Sequence, residues 1–306
     1  MKIIVLGSAA GGGFPQWNCN CFNCDGLRHG SLKSRARTQS SIAVSGDGES
    51  WVLINASPDI LTQIRQTPAL QPGRQARDTG IAAVMLMDAQ IDHVTGLLML
   101  REGKPIPLYC TASVWSDLTT GLPLVSVLSH FCGVQWHPVP VSQERGETLE
   151  IPGITGIRFT SFPLSSKAPP YSPHRENPHP GDNLGLVMES LATGKKVLYA
   201  PGLGKIDGEV EALMRSMDCL LVDGTFWSAD EMIKLGFSTK EASDMGHLPQ
   251  SGPGGMIEHL DAMPASRKIL IHINNTNPIL NENSEQHHAL LQHGIELAHD
   301  GMEITL

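Results

Sequence analysis

The sequence lacks the long apolar runs that mark membrane and exported proteins. No stretch of its 306 residues approaches the ~18–20 consecutive apolar residues of a membrane-spanning helix. The N-terminal MKIIVLGSAAGGG also has too few apolar residues before its glycines for a secretory signal, whose apolar region spans roughly 7–15 residues. We therefore expect a cytoplasmic protein without a membrane span.

Basic residues are scarce as well. Lysine and arginine number 22 against 31 aspartate and glutamate residues, the formal net charge is −9, and the basic residues are scattered. Nucleic acids and anionic membranes bind clustered positive charge, so we expect neither as a partner. A nucleotide loop is missing too, because GSAAGGGF fits neither the G-x-G-x-x-G pattern nor the P-loop.

Cysteine is rare but unevenly distributed. Of the six cysteines, three form a C-x-C-x-x-C motif at Cys19, Cys21 and Cys24. In a reducing cytoplasm such a cluster indicates a metal rather than disulfides, although a reduced cluster without metal is the alternative. Zn²⁺ prefers four ligands, so a fourth must come from elsewhere in the fold. We predict a structural zinc that fixes the loop after the first strand.

Strands and helices alternate along the chain, and no linker divides it. SIAVSG and SWVLINA, joined through Gly-Asp-Gly, predict a hairpin. GIAAVMLMD is apolar on both faces, as in a buried strand, DCLLVDGT predicts a second buried strand and RKILIHINN a further strand. SPDILTQIRQ, HVTGLLMLREG and DGEVEALMRSM have apolar residues at helical spacing. The pattern predicts an α+β fold of mixed sheets with helices outside, formed by residues 1–306 as one domain.

One long irregular stretch interrupts this pattern. Residues 165–183, SSKAPPYSPHRENPHPGDN, contain five prolines and two histidines. A loop of this length inside a compact domain is typical of a binding loop or a lid, with a disordered insertion as the alternative.

Metal-ligand residue types follow three of the apolar strands. Asp88, Asp92 and His93 follow the first, Asp223 ends the second and His272 follows the third. A single histidine after a strand is more often structural. Three such strand ends raise the odds of a metal site, because one sheet edge can bring them together.

These residues resemble a known family. The stretch DAQIDH between strand and helix resembles the first metal motif of the metallo-β-lactamase superfamily, H-x-H-x-D-H. Within it, the C-x-C-x-x-C motif with LGSAAGGGFPQWNC, DNLGLVME, DGTFW, MGHLPQSG and HINNTNP resembles the PqqB family, whose members are encoded with the enzymes of pyrroloquinoline quinone (PQQ) biosynthesis. The resemblance covers essentially the whole chain. It implies a four-layer αββα sandwich with two mixed β-sheets and a site at the strand-end edge.

The resemblance also implies which metal ligands are kept. Asp88 and Gln90 stand where the superfamily has its first two histidines, so the first metal site is degraded; His179, and less so His174, is the positional candidate for its third ligand. The second site is intact. Its ligands would be Asp92, His93, Asp223 and His272.

Two histidines and one carboxylate with open positions form the facial triad of non-haem Fe²⁺ oxygenases. We therefore predict active-site Fe²⁺ held by His93, His272 and Asp92, with Asp223 as a fourth ligand or an orienting group; Mn²⁺, Zn²⁺ or Cu²⁺ fit the same ligand types. A binuclear hydrolase would need both metal sites to hold a bridging hydroxide, so the loss of one argues against that chemistry.

Two further residues are assigned to catalysis. The resemblance places His247 near the site, as a general acid or base or a substrate contact, although a plain hydrogen bond at a helix start is equally consistent. Asp88 is the second. Asn275, three residues past His272, occupies a position where cluster-bearing superfamily members sometimes have a histidine.

The leading functional hypothesis from the resemblance is an Fe²⁺- and O₂-dependent hydroxylase of PQQ biosynthesis. Its substrate would be the tyrosine ring of a cross-linked Glu–Tyr dipeptide, and other proteins of the pathway are candidate partners. A carrier that helps to move PQQ or its precursor toward the periplasm, and a metallohydrolase, are the alternatives.

Overall fold

The structure, a computed structural model, describes residues 1–141, 148–265 and 267–306. The strands are β1 Lys2–Gly7, β2 Ser41–Ser45, β3 Trp51–Ile54, β4 Ile81–Met85, β5 Ile106–Cys110, β6 Val134–Pro138, β7 Thr148–Leu149, β8 Ile157–Pro163, β9 Leu184–Ser190, β10 Lys196–Ala200, β11 Cys219–Asp223, β12 Arg267–Ile271, β13 Ile295–Leu297 and β14 Glu303–Thr305. The helices are α1 Phe22–His29, α2 Ile60–Gln66, α3 Ile91–Val94, α4 Ala112–Ser116, α5 Leu124–Leu128, α6 Gly208–Arg215, α7 Glu231–Lys234, α8 Met256–Asp261 and α9 Glu285–Gln292. Within the described ranges, no helix is long and apolar enough to cross a membrane.

The chain forms two compact units. Unit 1 comprises Met1–Gly7, Ser40–Lys195 and Gly301–Leu306, and unit 2 comprises Ser8–Gln39 and Lys196–Asp300. A single domain over residues 1–306 stays a prediction.

Unit 1 contains a mixed seven-stranded sheet in the order β14-β1-β2-β3-β4-β5-β6. Its strands are antiparallel from β14 to β3 and parallel from β3 to β6. The antiparallel pair of β2 and β3 confirms the predicted hairpin. Strands β7, β8 and β9 of the same unit pair antiparallel with one another.

The core of unit 1 lies against this sheet. Apolar side chains of β3, β4 and β5 pack with those of α2, α4 and the turns after α3, and they include Leu53, Val84, Leu108, Ile60 and Val114. Each of these five is at most 1% exposed. Burial of a side chain of this size stabilises a fold by about 1.5–3 kcal/mol, so this cluster is what fixes the end of β4 in place.

The predicted helix HVTGLLMLREG takes a different form. The α-helix begins earlier, at Ile91, ends at Val94, and continues as a 3₁₀-helix from Thr95 to Leu100. The reason is a close backbone approach, since a Cβ on Gly96 would lie 2.1 Å from the carbonyl oxygen of Ser57. Packing against the turn before α2 therefore overrides the helical periodicity of the sequence.

Unit 2 contains four parallel strands, β10 to β13. Every residue of β11 is buried, as the continuous apolar run predicts. Helix α6 begins at a capping aspartate, Asp207, whose side chain accepts from two backbone N–H groups, and the side chain of Ser284 caps α9 by accepting from the N–H of His287. Strands β11 and β12 run in the same direction, so Asp223 and His272 lie at the same edge of this unit's sheet.

Candidate metal centre

One group of candidate ligands lies in unit 1, directly after β4. The carboxylate of Asp88 lies 2.8 Å (Oδ1) and 2.9 Å (Oδ2) from Nδ1 of His93, and Oδ1 also accepts from the backbone N–H of Gln90 at 2.8 Å. Asp88 and His93 are 5% and 2% exposed. A carboxylate on Nδ1 fixes the orientation of the ring and makes Nε2 the nitrogen that a metal would bind.

Charge around His93 favours a cation. Burial opposes a positive ring, but the carboxylates of Asp88 and Asp92 outweigh it and raise the pKa of His93 to about 9. Oδ2 of Asp92 lies 3.8 Å from Nε2 of His93. The same two carboxylates that stabilise the proton would stabilise a metal ion in its place.

Another group of candidate residues lies in unit 2, at the end of β11. Asp223 is fully buried, and its Oδ1 accepts from the backbone N–H of Thr225 at 2.8 Å and from its hydroxyl at 2.6 Å. Oδ2 accepts from the backbone N–H of Leu203 at 3.0 Å and lies 2.6 Å from Nδ1 of His247. A metal bound by Asp223 would have to replace one of these donors, so the carboxylate is well placed to orient His247.

The hydroxyl of Thr225 connects the second group of side chains. Its oxygen lies 3.0 Å from Nδ1 of His272, 3.1 Å from Nδ1 of His247 and 2.9 Å from the carbonyl oxygen of His272. A hydroxyl has one proton to donate and two lone pairs, so donation to Asp223 leaves it able to accept from His272. Nδ1 of His272 then carries the proton, and Nε2 is its ligand atom.

His272 follows β12 in an unusual backbone conformation. Its φ of 61° lies in the left-handed region, which non-glycine residues adopt rarely. Backbone bonds hold it there, because the N–H of Ile273 donates to Ser8 and the N–H of Ala10 donates to Ile273. Residues in such strained conformations cluster at functional sites, where the contacts around them hold the conformation in place.

The imidazoles of His247 and His272 stack with ring centroids 5.3 Å apart. A ligand atom of each, and one of Asp223, lie within 4.8 Å of one another, a spacing that could hold a metal ion. Asp92 and His93 belong to unit 1 and these three residues to unit 2; their joint coordination of one metal stays a prediction.

The cysteine cluster converges as the motif predicts. Cys19, Cys21 and Cys24 offer sulfur atoms within 4.8 Å of one another. The side-chain amide of Asn275 reaches all three, with Nδ2 at 3.1, 3.6 and 3.3 Å from the sulfurs of Cys19, Cys21 and Cys24. Asn275 therefore lies at the cluster, where the sequence leaves a fourth ligand open. Zinc at this cluster stays a prediction.

The segment between β8 and β9 is irregular, as its sequence predicts, and it contacts the turn that contains Asp88. Asn183 forms an isolated bridge with Asp88, and the N–H of Leu184 donates to Met87 at 2.8 Å. The hydroxyl of Tyr171 donates to the carbonyl of Ala89. The segment is therefore attached, at Tyr171 and at its end, to the turn that carries the candidate ligands of unit 1.

Sequence reasoning missed several of these residues. Thr225, Tyr171 and the orienting role of Asp88 are visible only as contacts. The sole signal for Thr225 was its place two residues after a strand-end aspartate. His179 and His174, proposed for a degraded first metal site, lie together with Asp182 in the irregular segment.

Comparison with known proteins agrees with this architecture. A model of the β-lactamase superfamily domain matches residues 50–273. Coenzyme PQQ synthesis protein B of Cupriavidus taiwanensis is 63% identical over 305 residues, 99% of each chain, and that of Methylobacillus flagellatus is 58% identical over the whole of both chains.

A solved structure matches over its full length as well. The crystal structure of Zn²⁺-bound PqqB from Methylobacterium extorquens has a TM-score of 0.90 and 37% identity, and the match covers 100% of both chains. The fold is therefore a metallo-β-lactamase fold with two mixed β-sheets flanked by helices, as expected from the motifs.

Proposed function

Because this chain belongs to the coenzyme PQQ synthesis protein B family of the β-lactamase superfamily, we propose that it acts in PQQ synthesis as an Fe²⁺- and O₂-dependent hydroxylase. The substrate is the tyrosine ring of a cross-linked Glu–Tyr intermediate. One ring C–H becomes C–OH with one oxygen atom of O₂, and the other leaves as water with two electrons and two protons from an external reductant of the ascorbate class.

The observation that carries the proposal is the orientation of the histidines in each unit. Asp88 engages Nδ1 of His93, and the Thr225 hydroxyl lies beside Nδ1 of His272. Partners on Nδ1 are what metal-bound histidines have in proteins. The donor set of His93, His272 and Asp92 therefore fits Fe²⁺, which when bound supplies the activation of O₂. Asp223 is the adjacent orienting carboxylate.

His247 supplies the proton transfer in this account. Its Nδ1 lies 2.6 Å from Oδ2 of the fully buried Asp223. A carboxylate on Nδ1 holds the tautomer and stabilises the imidazolium, so that Nε2 can accept the phenolic proton of the substrate and return it. Phe226 packs edge-on against the His247 ring at a centroid distance of 5.8 Å and limits its rotation.

The family role in PQQ synthesis is compatible with two other activities. A metallohydrolase would use a metal-bound water instead of O₂. A carrier would bind PQQ or its precursor and transform neither.

Metal reconstitution separates these functions. Metal-free protein is loaded without oxygen with Fe²⁺ or, in parallel, with Zn²⁺, and O₂ uptake and product mass are followed with the Glu–Tyr dipeptide and ascorbate. We expect O₂ uptake and the gain of one oxygen atom with Fe²⁺ alone, and their loss in His93→Ala. The matched control is His130→Ala, an exposed histidine outside the centre.

Two results would overturn the proposal. Turnover by the zinc form alone would indicate a hydrolase. Tight binding of precursor without turnover in either form, unchanged by Asp92→Ala, would indicate a carrier.

A further inference from the structure

A second cluster of metal-ligand side chains lies in the irregular segment between β8 and β9. It consists of His174, His179 and Asp182, all within unit 1. None of them serves the hydroxylase proposed above, and the cluster stands independently of it.

The three side chains converge on one point. Nε2 of His174 lies 3.0 Å from Oδ1 of Asp182, and the two imidazoles tilt toward each other with centroids 4.9 Å apart. A ligand atom of each residue lies within 4.8 Å of those of the other two. Ligands about 2.0–2.1 Å from a tetrahedral Zn²⁺ lie roughly 3.3 Å from one another, so only small movements would admit an ion.

The backbone holds Asp182 in place beneath the histidines. Its Oδ2 accepts from the backbone N–H of His179 at 2.7 Å, and the N–H of Asp182 in turn donates to the carbonyl of His179 at 3.1 Å. Asp182 is 1% exposed, so its carboxylate is desolvated. A buried carboxylate gains much from a cation in contact with it.

A second buried carboxylate, that of Asp117, lies on the Nδ1 side of His174. Oδ1 of Asp117 lies 3.8 Å from Nδ1 of His174, and among the described residues this oxygen has no hydrogen-bond partner, although Asp117 is 1% exposed. Metal-bound histidines almost always direct their other ring nitrogen to such a carboxylate. Asp117, His174 and Asp182 thus have the order of an orienting carboxylate, a ligand histidine and a ligand carboxylate.

We propose that His174, His179 and Asp182 form a binding site for a divalent transition-metal ion of the Zn²⁺ class. Imidazole nitrogens with one carboxylate suit Zn²⁺, Ni²⁺ and Cu²⁺ rather than Ca²⁺ or Mg²⁺. His179 is exposed, so the ion has open positions on its solvent side. The bound ion joins both halves of the segment, whose end at Asn183 bridges to Asp88, and so restricts its motion.

The test is a metal count on the full-length protein. Protein stripped of weakly held metal is dialysed against Zn²⁺, and bound zinc is measured by elemental analysis. We expect the wild type to bind one equivalent more than His179→Ala, while His130→Ala, which replaces another exposed histidine, binds as much as the wild type. His179 is exposed, so its replacement leaves the fold intact, which circular dichroism checks.

Hydrogen exchange gives a second measurement on the same samples. Zn²⁺ should slow amide exchange in residues 165–183 of the wild type at least tenfold and leave the His179→Ala variant unchanged. Equal zinc counts in the wild type and His179→Ala would overturn the site and make the cluster a metal-free hydrogen-bond network. Equal amide exchange of residues 165–183 in the wild type with and without Zn²⁺ would also overturn the site.

Discussion

Two orienting contacts determine what the histidines of the candidate centre can do. Asp88 lies at Nδ1 of His93 and the Thr225 hydroxyl lies at Nδ1 of His272, so Nε2 is the nitrogen that each proposed ligand would offer to a metal. The sequence identified both histidines, because a histidine after an apolar strand is visible as a pattern. It could not assign Asp88 and Thr225 as orienting residues, because a partner on Nδ1 is a three-dimensional relation that leaves no spacing signal.

Removal of one hydroxyl tests this residue-scale interpretation. In Thr225→Val the shape is kept, but His272 loses the acceptor beside Nδ1, so we expect 10–100-fold weaker binding of Mn²⁺, roughly the usual cost of losing an orienting partner. Mn²⁺ suits the histidine and carboxylate ligands rather than the cysteines, and its binding is followed by electron paramagnetic resonance.

The control is Thr120→Val, which loses a hydroxyl bond to the carbonyl of Ser116 far from any predicted ligand in sequence. Equal Mn²⁺ affinity in Thr225→Val and wild type would show that the hydroxyl does not orient the ligand.

At the scale of secondary-structure elements, the strands were the most predictable part. The apolar runs at β4, β11 and β12 appear where the sequence predicts them, and the predicted ligands lie at or just after the ends of these strands. Helix α3 was not predictable, because the close approach of Gly96 to Ser57 is decided by packing and not by the local pattern. The sequence predicted residues 165–183 as a binding loop or a lid, with a disordered insertion as the alternative, but it gave no sign of the attachment of this segment to the Asp88 turn through Tyr171.

The Tyr171 contact carries the element-scale prediction. Tyr171→Phe removes the hydroxyl bond to Ala89 while keeping the ring, so residues 165–183 and the turn at residues 86–90 should exchange their amide hydrogens several-fold faster. Hydrogen exchange with mass spectrometry measures this, and peptides from β2 and β3 serve as the internal reference. Unchanged exchange in both segments would mean that the hydroxyl bond does not hold them together.

At the scale of the whole molecule, one buried acid links stability to pH. Burial raises the pKa of Glu231 to about 7, against hydrogen bonds from Thr276 and from the backbone at Trp227 that lower it. Because the folded pKa lies above the unfolded value, the protonated form is favoured on folding. The stability that the protonated Glu231 contributes to the folded state is complete below the unfolded pKa of about 4.5 and is lost as the pH rises through about 7.

Glutamine does not ionise, so the Glu231→Gln variant should lose less stability than the wild type between pH 5 and pH 8. In urea unfolding of the metal-free protein we expect the variant to be more stable than the wild type at pH 8, by up to about 3 kcal/mol, and no such gain at pH 5. Glu303→Gln, at an exposed position, should show no pH-dependent difference. A constant difference across the pH range would contradict a shifted Glu231.

The whole-molecule architecture was accessible from sequence because several short motifs agree on one family. Single motifs were weaker guides, since the C-x-C-x-x-C cluster did not identify its fourth ligand and the damaged H-x-H-x-D-H motif did not show what Asp88 contacts. The fold followed from motif order, whereas the chemistry depends on contacts that only the folded chain contains.

The source of the oxygen atom in the product distinguishes an O₂-dependent hydroxylase from every other activity proposed for this chain. The Fe²⁺-loaded protein is given the Glu–Tyr dipeptide, a reductant and O₂ labelled with the heavy isotope of oxygen, and the product is weighed by mass spectrometry. We expect the new ring hydroxyl to carry the heavy isotope. If the product gains the heavy isotope only when the water, and not the O₂, is labelled with it, the hydroxylase proposal is contradicted. A product with no added oxygen would contradict it as well.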